Sequence, residues 1–176
     1  MAVLRAISII AVLILSGGVA ESQTSREYQV KAVFLLHFAR FTEWPAEATP
    51  QADSPIVIGV MGEDPFGKAL DAAVRDEVVH GRRIVVERYG ALSDMKTCHI
   101  LFISKSEAKR QDAILEKLQN KPVLTVADTR ASSSHPMITF MVDHGRVRFK
   151  IDLPAVKAAH ISLSSKLLRV AEVVEL

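Results

Sequence analysis

Hydrophobic and polar positions follow two different periods along this chain, and the change from one to the other predicts its elements. Apolar residues recur at helical spacing from Val30 to Phe41, which predicts a long, well-buried first helix capped by Thr24. The run from Ile56 to Met61 is continuously apolar and β-branched, which is typical of a strand covered on both faces. The chain therefore begins its folded part with a helix followed by a buried strand.

The central part of the chain alternates strands with helices. A helix is predicted after the first strand, with Asp64 as its N-cap and Pro65 at its first position. Further strands are predicted at Arg83–Val86, Cys98–Ser104 and Val123–Val126. A second helix of this part is predicted at Ser106–Asn120, with Ile114, Leu115 and Leu118 facing inward. Such alternation predicts parallel strands joined by right-handed crossovers.

The last part of the chain changes to the two-residue period of a half-exposed strand. Apolar and charged residues alternate from Arg146 to Asp152, and Asp143–Gly145 separates this segment from an apolar run, which predicts a β-hairpin. Apolar positions from Leu163 to Val174 predict a final amphipathic helix. The predicted fold is a three-layer α/β sandwich with a mainly parallel sheet, an antiparallel edge hairpin and helices on both faces.

The first 20 residues have the three parts of a secretory signal: a basic start at Arg5, a short apolar core and small residues before Ala20. The apolar core is too short for a comfortable membrane span, although a retained N-terminal anchor is the alternative. We expect residues 1–20 to be a cleaved signal peptide, residues 21–176 to form one domain, and the mature protein to be periplasmic.

Charge and composition then limit the partners. The 22 basic and 20 acidic residues nearly cancel, so the chain has no field of one sign that would attract nucleic acid. No second long apolar run follows the leader, so we expect no direct membrane insertion after cleavage. Cys98 is the one cysteine; it is either a small buried residue or a thiol for an intermolecular disulfide.

The motifs favour binding over catalysis. Gly62–Ala69 nearly matches a phosphate loop, but Ala69 lacks the hydroxyl for magnesium and Pro65 lacks an amide for a phosphate. No two of the six histidines have helical metal-binding spacing. We therefore predict no enzymatic activity, no cofactor and no metal site.

One generic site remains at the carboxyl ends of the predicted strands, where open α/β sheets bind ligands. Polar residues that could converge there are Glu63, Asp64, Ser104, Lys105 and Asp128. They form the candidate ligand site, although helix capping by Asp64 and Ser104 would explain two of them without a ligand.

Seven ordered segments give the chain a family resemblance. They are Glu27–Phe34, Phe38–Phe41 with Trp44 and Pro45, Ile58–Gly67, Cys98–Ser104, Leu124–Asp128, Val147–Ile151 and Ser164–Ala171. With these segments the chain resembles the YfiR-like family of exported bacterial proteins. The resemblance implies an α/β fold, a periplasmic location and no established catalysis.

The best-understood member of that family represses a membrane-bound diguanylate cyclase by binding its periplasmic domain, and it depends on disulfides. Only Cys98 is present here, so the resemblance does not extend to control by internal disulfides. The resemblance implies a regulatory protein whose partner is the periplasmic domain of a membrane sensor.

Two functions follow as hypotheses. The first is a periplasmic regulatory binding protein that represses such a sensor, with contacts expected at Arg146, Arg148, Lys150, Leu168 and Val173. These residues could instead serve folding or a homodimer. The second is a periplasmic small-ligand binding protein that uses the strand-end crevice.

Overall fold

The computed structural model describes residues 17–48, 53–128 and 134–174. Most of the predicted signal peptide, residues 1–16, and residues 129–133 of the Ser-rich segment lie outside the described residues. The strands are β1 (Thr42–Glu43), β2 (Ile56–Met61), β3 (Val78–Val79), β4 (Arg82–Tyr89), β5 (Ile100–Ile103), β6 (Leu124–Ala127), β7 (Ile138–Asp143), β8 (Arg146–Asp152), β9 (Ser162–Leu163) and β10 (Glu172–Val174). The α-helices are α1 (Gly17–Arg40), α2 (Lys68–Val74), α3 (Gln111–Leu118), α4 (Leu153–Ala158) and α5 (Ser165–Leu168).

Eight of the described strands form one sheet in the order β10-β8-β7-β6-β5-β2-β4-β3, and β1 pairs separately with β9. Five neighbouring strands of this sheet, β4, β2, β5, β6 and β7, are mutually parallel. If these five are renumbered from 1 to 5 along the chain, their order in the sheet is 2-1-3-4-5. This is the order of a doubly wound sheet, in which the direction of winding reverses between β2 and β5. The predicted mainly parallel sheet is confirmed.

Helices cover both faces of the sheet, as predicted. On one face α1, α2, α4 and α5 enclose the larger core, in which Phe38 of α1 packs against Phe140 and Phe149 of the hairpin. On the other face Ile114, Leu115 and Leu118 of α3 form a smaller core. Each fully buried aromatic side chain of this kind stabilises the fold by about 1.5–3 kcal/mol.

The prediction for the start and the inner face of α1 was wrong. The helix begins at Gly17 and continues through Thr24, so Thr24 is not its N-cap. Val30 and Val33, expected inside, are each 45% exposed. The buried side of α1 consists of Tyr28, Lys31, Ala32, Leu35, Leu36, Phe38 and Ala39. Apolar residues occupy most positions from Val30 to Phe41, on more than one side of the helix, so periodicity could not select the face that packs.

Asp64 does not cap α2 as predicted. The helix begins later, at Lys68, with Gly67 at its N-cap position. The Asp64 carboxylate instead accepts a hydrogen bond from the amide of Phe66 at 2.7 Å, which closes a local turn before the helix. In α3 the predicted helix is confirmed, although a 3-10 segment, Lys105–Arg110, forms its first turns.

The final helix was predicted too long. Only Ser165–Leu168 is helical, and the chain then forms β10, in which Val173 pairs in parallel with Ile151 of β8. The open edge of β8 offers hydrogen bonds to an extended segment, and β-branched valines favour that state over a short helix. The hairpin of β7 and β8 is confirmed, but β10 covers its outer strand at Lys150–Asp152.

Candidate functional site

The carboxyl ends of β2 and β5 meet at the point where the winding of the sheet reverses. The amide of Glu63 donates to Ser106 Oγ at 2.9 Å, and the amide of Ser104 donates to the carbonyl of Met61 at 3.0 Å. These bonds join the loops that follow the two strands. Glu63 and Lys105 are exposed beside it, and Ser104 is buried.

Asp64 lies next to this loop pair but its carboxylate is engaged with arginine. Arg88 Nε donates to Asp64 Oδ2 at 2.8 Å, and Arg88 Nη2 donates to Asp71 Oδ2 at 2.6 Å. The guanidinium of Arg88 lowers the pKa of the Asp71 carboxyl, chiefly through this hydrogen bond. Through Arg88, Asp64 therefore helps to hold β4 against the segment that leads into α2.

Asp128, the fifth predicted ligand residue, is used inside the protein. Its side chain is fully buried, accepts from the hydroxyl of Tyr28 at 2.6 Å and pairs with Lys31 Nζ at 2.7 Å. Lys31 is only 2% exposed, also pairs with Glu27, and lies 4.6 Å from the centre of the Tyr28 ring. Burial, with the hydrogen bond to Asp128 as a further cause, raises the pKa of Tyr28. This buried cluster fixes α1 to the end of β6.

The structure thus brings Glu63, Ser104 and Lys105 close together and places Asp128 in a separate buried cluster. Sequence analysis missed Lys31, because a helical lysine is usually exposed. Two signals were available: Lys31 is four residues after Glu27, and it falls among the apolar positions of the helix. The predicted ligand-binding role of Asp128 stays a prediction.

The turn of the hairpin and its three cations form the second predicted surface. His144 and Gly145 both have positive φ, as the tight two-residue hairpin turn requires. Arg148 pairs with Asp143 at 3.3 Å, and Lys150 pairs with Glu172 of β10 at 2.7 Å. Arg146 is exposed at the end of the strand. Both recorded pairs are solvent-accessible, so they cost little to exchange for contacts with a partner.

The remaining predicted contact residues are Leu168 and Val173. Leu168 is partly buried and packs against the main core. Val173 lies in β10 rather than on the outer side of a helix. The half of β8 from Arg146 to Phe149 has no strand beside it on the β10 side among the described residues, so a partner strand could add there.

An apolar surface that the sequence did not predict lies beside this hairpin. Val30 and Val33 of α1 are each 45% exposed, and Val142 of the hairpin is 51% exposed. Phe34, next to Val33 in α1, is half-buried, with its ring 5.2 Å from that of Phe149. Val142 pairs with Val147 next to the Phe140–Phe149 pair. We call Val30, Val33, Phe34, Val142 and Val147 the apolar strip.

Contiguous exposed apolar residues on two elements mark interaction sites more often than single ones do. The cations of the hairpin lie on the opposite face of the same two strands, because successive strand residues alternate faces. The hairpin end therefore offers apolar residues on one face and charged residues on the other.

The buried thiol and the buried imidazole are both held in their neutral forms. Burial raises the pKa of Cys98 to about 12, and its Sγ donates to the carbonyl of Ile100 at 3.0 Å. Burial and the nearby Arg82 lower the pKa of His99 to about 4, and its Nδ1 accepts from the amide of Val57 at 3.1 Å. A buried thiol of this kind is unreactive.

Two searches of the described residues bear on function. No helix in these ranges is both long and apolar enough to cross a membrane. In the same part of the chain, no group of three or more histidine, cysteine, aspartate or glutamate residues is arranged to hold a metal ion.

Comparison with known families decides the kinship of the chain. The family model described as YfiR/HmsC-like matches residues 28–172, from the middle of α1 to the start of β10. The chain belongs to this family. Members of the YfiR/HmsC-like family are periplasmic and regulatory rather than catalytic. No curated protein matches the chain.

Proposed function

We propose that this protein is a periplasmic regulator that represses a membrane-bound sensor, with a diguanylate cyclase as the first candidate, by binding the sensor's periplasmic domain. The observation that carries the proposal is membership of the YfiR/HmsC-like family over residues 28–172. That span includes every residue of the apolar strip and both strands of the hairpin.

The apolar strip and the hairpin are the proposed contact surface. Burial of Phe34 and the exposed valines would supply the driving force, since apolar area is worth about 25 cal/mol per Å². Arg146, Arg148 and Lys150 would fix orientation, because surface charges contribute more to specificity than to affinity. Leu168 and Val173 stay predicted contacts.

Repression would follow from a shift in population. A regulator can hold a sensor in its inactive state only by as much as it binds that state more tightly than the active one. Moving an equilibrium from about 1:99 to 99:1 needs roughly a 10⁴-fold difference in affinity. The contact surface must therefore fit a feature that the sensor presents in one state only.

The test is genetic complementation with a matched pair of variants. Deletion of the gene should raise cyclic-di-GMP and biofilm, and the wild-type gene should restore both. Val30→Asp with Val33→Asp should fail to restore them, because carboxylates in the contact area would be desolvated on binding. Val78→Asp is the control, since Val78 is 60% exposed at the opposite edge of the sheet.

Each outcome decides a part of the proposal. An unchanged cyclic-di-GMP level after deletion would exclude a cyclase as the target. Equal complementation by the two variants would exclude the apolar strip as the contact surface. Sedimentation of the purified variants separates the homodimer alternative, which predicts that the Val30 and Val33 changes alter the oligomeric state without any sensor present.

A further inference from the structure

A cavity lies beside the reversal point of the sheet, on the face covered by α3. Its volume is about 260 Å³, and its apolar floor is formed by Met61, Leu92 and Ile114. Open doubly wound sheets bind ligands at this position, outside the carboxyl ends of the strands where the winding reverses. The cavity is distinct from the crevice predicted from the sequence, because none of the residues predicted for that crevice lines it.

The wall of the cavity is built by a close approach that requires glycine. Gly62 has a φ of +87°, and a Cβ atom there would lie 2.7 Å from Cγ of Glu107. The side chain of Glu107 is consequently 7% exposed and lines the cavity. On the opposite side, Asp94 accepts a hydrogen bond from the amide of Ala91 at 3.0 Å and shapes the turn that carries Leu92.

The charges at the mouth favour an anion. The buried carboxylate of Glu107 pairs with Arg110, whose Nη2 lies 2.8 Å from Oε1 and 2.7 Å from Oε2. A single nitrogen makes both contacts, so the rest of the guanidinium faces outward on a side chain that is 61% exposed. Lys117 lies two helical turns further on the same face and lines the same cavity. Two cations and one anion leave a net positive charge for a monoanion.

We propose that this cavity binds a small monocarboxylate with a short apolar body. The carboxylate would lie between Arg110 and Lys117, and the apolar part would contact Met61, Leu92 and Ile114. At about 30 Å³ for each heavy atom, the cavity has room for roughly eight or nine of them. The inference does not depend on the proposed regulatory function, because binding requires only the purified protein.

The probe is hexanoate, and hexanamide is its uncharged counterpart. Two-dimensional amide NMR of the mature protein detects the binding of each compound. Hexanoate should bind with a dissociation constant on the order of millimolar, with shifts concentrated at Ser93, Ala113 and their neighbours. Hexanamide should bind about tenfold more weakly, because it lacks the charge that Arg110 and Lys117 recognise.

Two variants and one matched control locate the site. Lys117→Gln should weaken hexanoate binding, and Ala113→Trp should abolish it by filling the mouth, where Ala113 is exposed. Lys109→Gln removes an exposed cation of the same segment that does not line the cavity and should leave binding unchanged. Arg110→Gln is less suitable, because it would leave the buried Glu107 carboxylate unpaired.

Three results would overturn the inference: no shifts with hexanoate at tens of millimolar (about tenfold above the expected dissociation constant), equal binding of hexanamide, or full binding by a folded Ala113→Trp variant. Shifts confined to the apolar strip would also contradict it, since they would show binding at another surface. The dispersion of the NMR spectrum reports in the same experiment whether each variant is folded.

Discussion

The two sides of α1 reverse the usual distribution of polar and apolar residues. On the inner side Lys31 is 2% exposed, whereas Val30 and Val33 on the outer side are each 45% exposed. The lysine is tolerated because Glu27 and Asp128 pair with it and Tyr28 completes the hydrogen bonding of Asp128. The valines have no such compensation in the isolated chain. Comparison of the two sides indicates that the inner one serves the fold, whereas the outer one is the side proposed to contact a partner.

The largest effect should come from breaking the inner side. Lys31→Ala would leave the buried Asp128 carboxylate without its cation, which we expect to lower the free energy of unfolding by about 3–5 kcal/mol. Urea denaturation of the mature protein measures this. The double variant Lys31→Ala with Asp128→Asn should recover part of the loss, because the amide carries no charge. A Lys31→Ala variant as stable as the wild type would contradict the structural role.

A second buried basic group, His99, sharpens the comparison, because it is kept neutral whereas Lys31 is paired. Its pKa is about 4 in the folded protein, lowered by burial and by Arg82, against an ordinary value of 6.5. Between these values the unfolded chain binds more protons than the folded protein does. The contribution of His99 to stability is therefore complete above pH 6.5 and is lost as the pH falls toward 4. The full contribution is about 3 kcal/mol, at 1.36 kcal/mol per pKa unit.

Denaturation at several pH values between 4 and 7 measures how the stability depends on pH. Comparison of the wild type with two variants separates the effect of His99 from that of the other titrating groups. His99→Gln keeps a side chain that can hydrogen-bond but cannot titrate in this range, so the slope of stability against pH should decrease. His135→Gln, at an exposed histidine, should leave the slope unchanged. Identical slopes for His99→Gln and the wild type would show that His99 does not control the acid sensitivity.

The smallest effect on stability should come from the outer side. Val30→Asp with Val33→Asp changes exposed helical positions, so we expect the free energy of unfolding to change by no more than about 0.5 kcal/mol per site. Thermal unfolding followed by circular dichroism checks this. Combined with the complementation experiment, unaffected stability would assign any loss of repression to the surface. A large loss of stability would mean that these valines belong to the core.

Local patterns predicted most of the elements but not the arrangement of their edges. The β-branched run of β2 and the inward residues Ile114, Leu115 and Leu118 were correctly predicted, because each depends on neighbours within a few residues. The hairpin turn at Asp143–Gly145 was correctly predicted for the same reason. The C-terminal valines were assigned to a helix, because their spacing did not reveal that the edge of β8 was open to them.

The candidate sites were less predictable than the fold. The strand-end rule indicated which end of the sheet to consider, but it could not show that Ser106 joins the two loops there or that Glu107 lines a cavity beside them. Both facts depend on how closely Gly62 approaches the loop after β5. The apolar strip was missed because Val30 and Val33 have the helical spacing that usually indicates a core.

The sequence by itself determined the classes and order of most elements and the likeness to a family of exported regulators. These properties are encoded in short segments, where spacing and side-chain shape act over one or two turns or strands. Only the tertiary structure decided that Lys31 is inside, because its partner Asp128 is 97 residues away. The same holds for the side of α1 that faces solvent: a helical segment with apolar residues on more than one side has its orientation fixed by the surfaces it packs against.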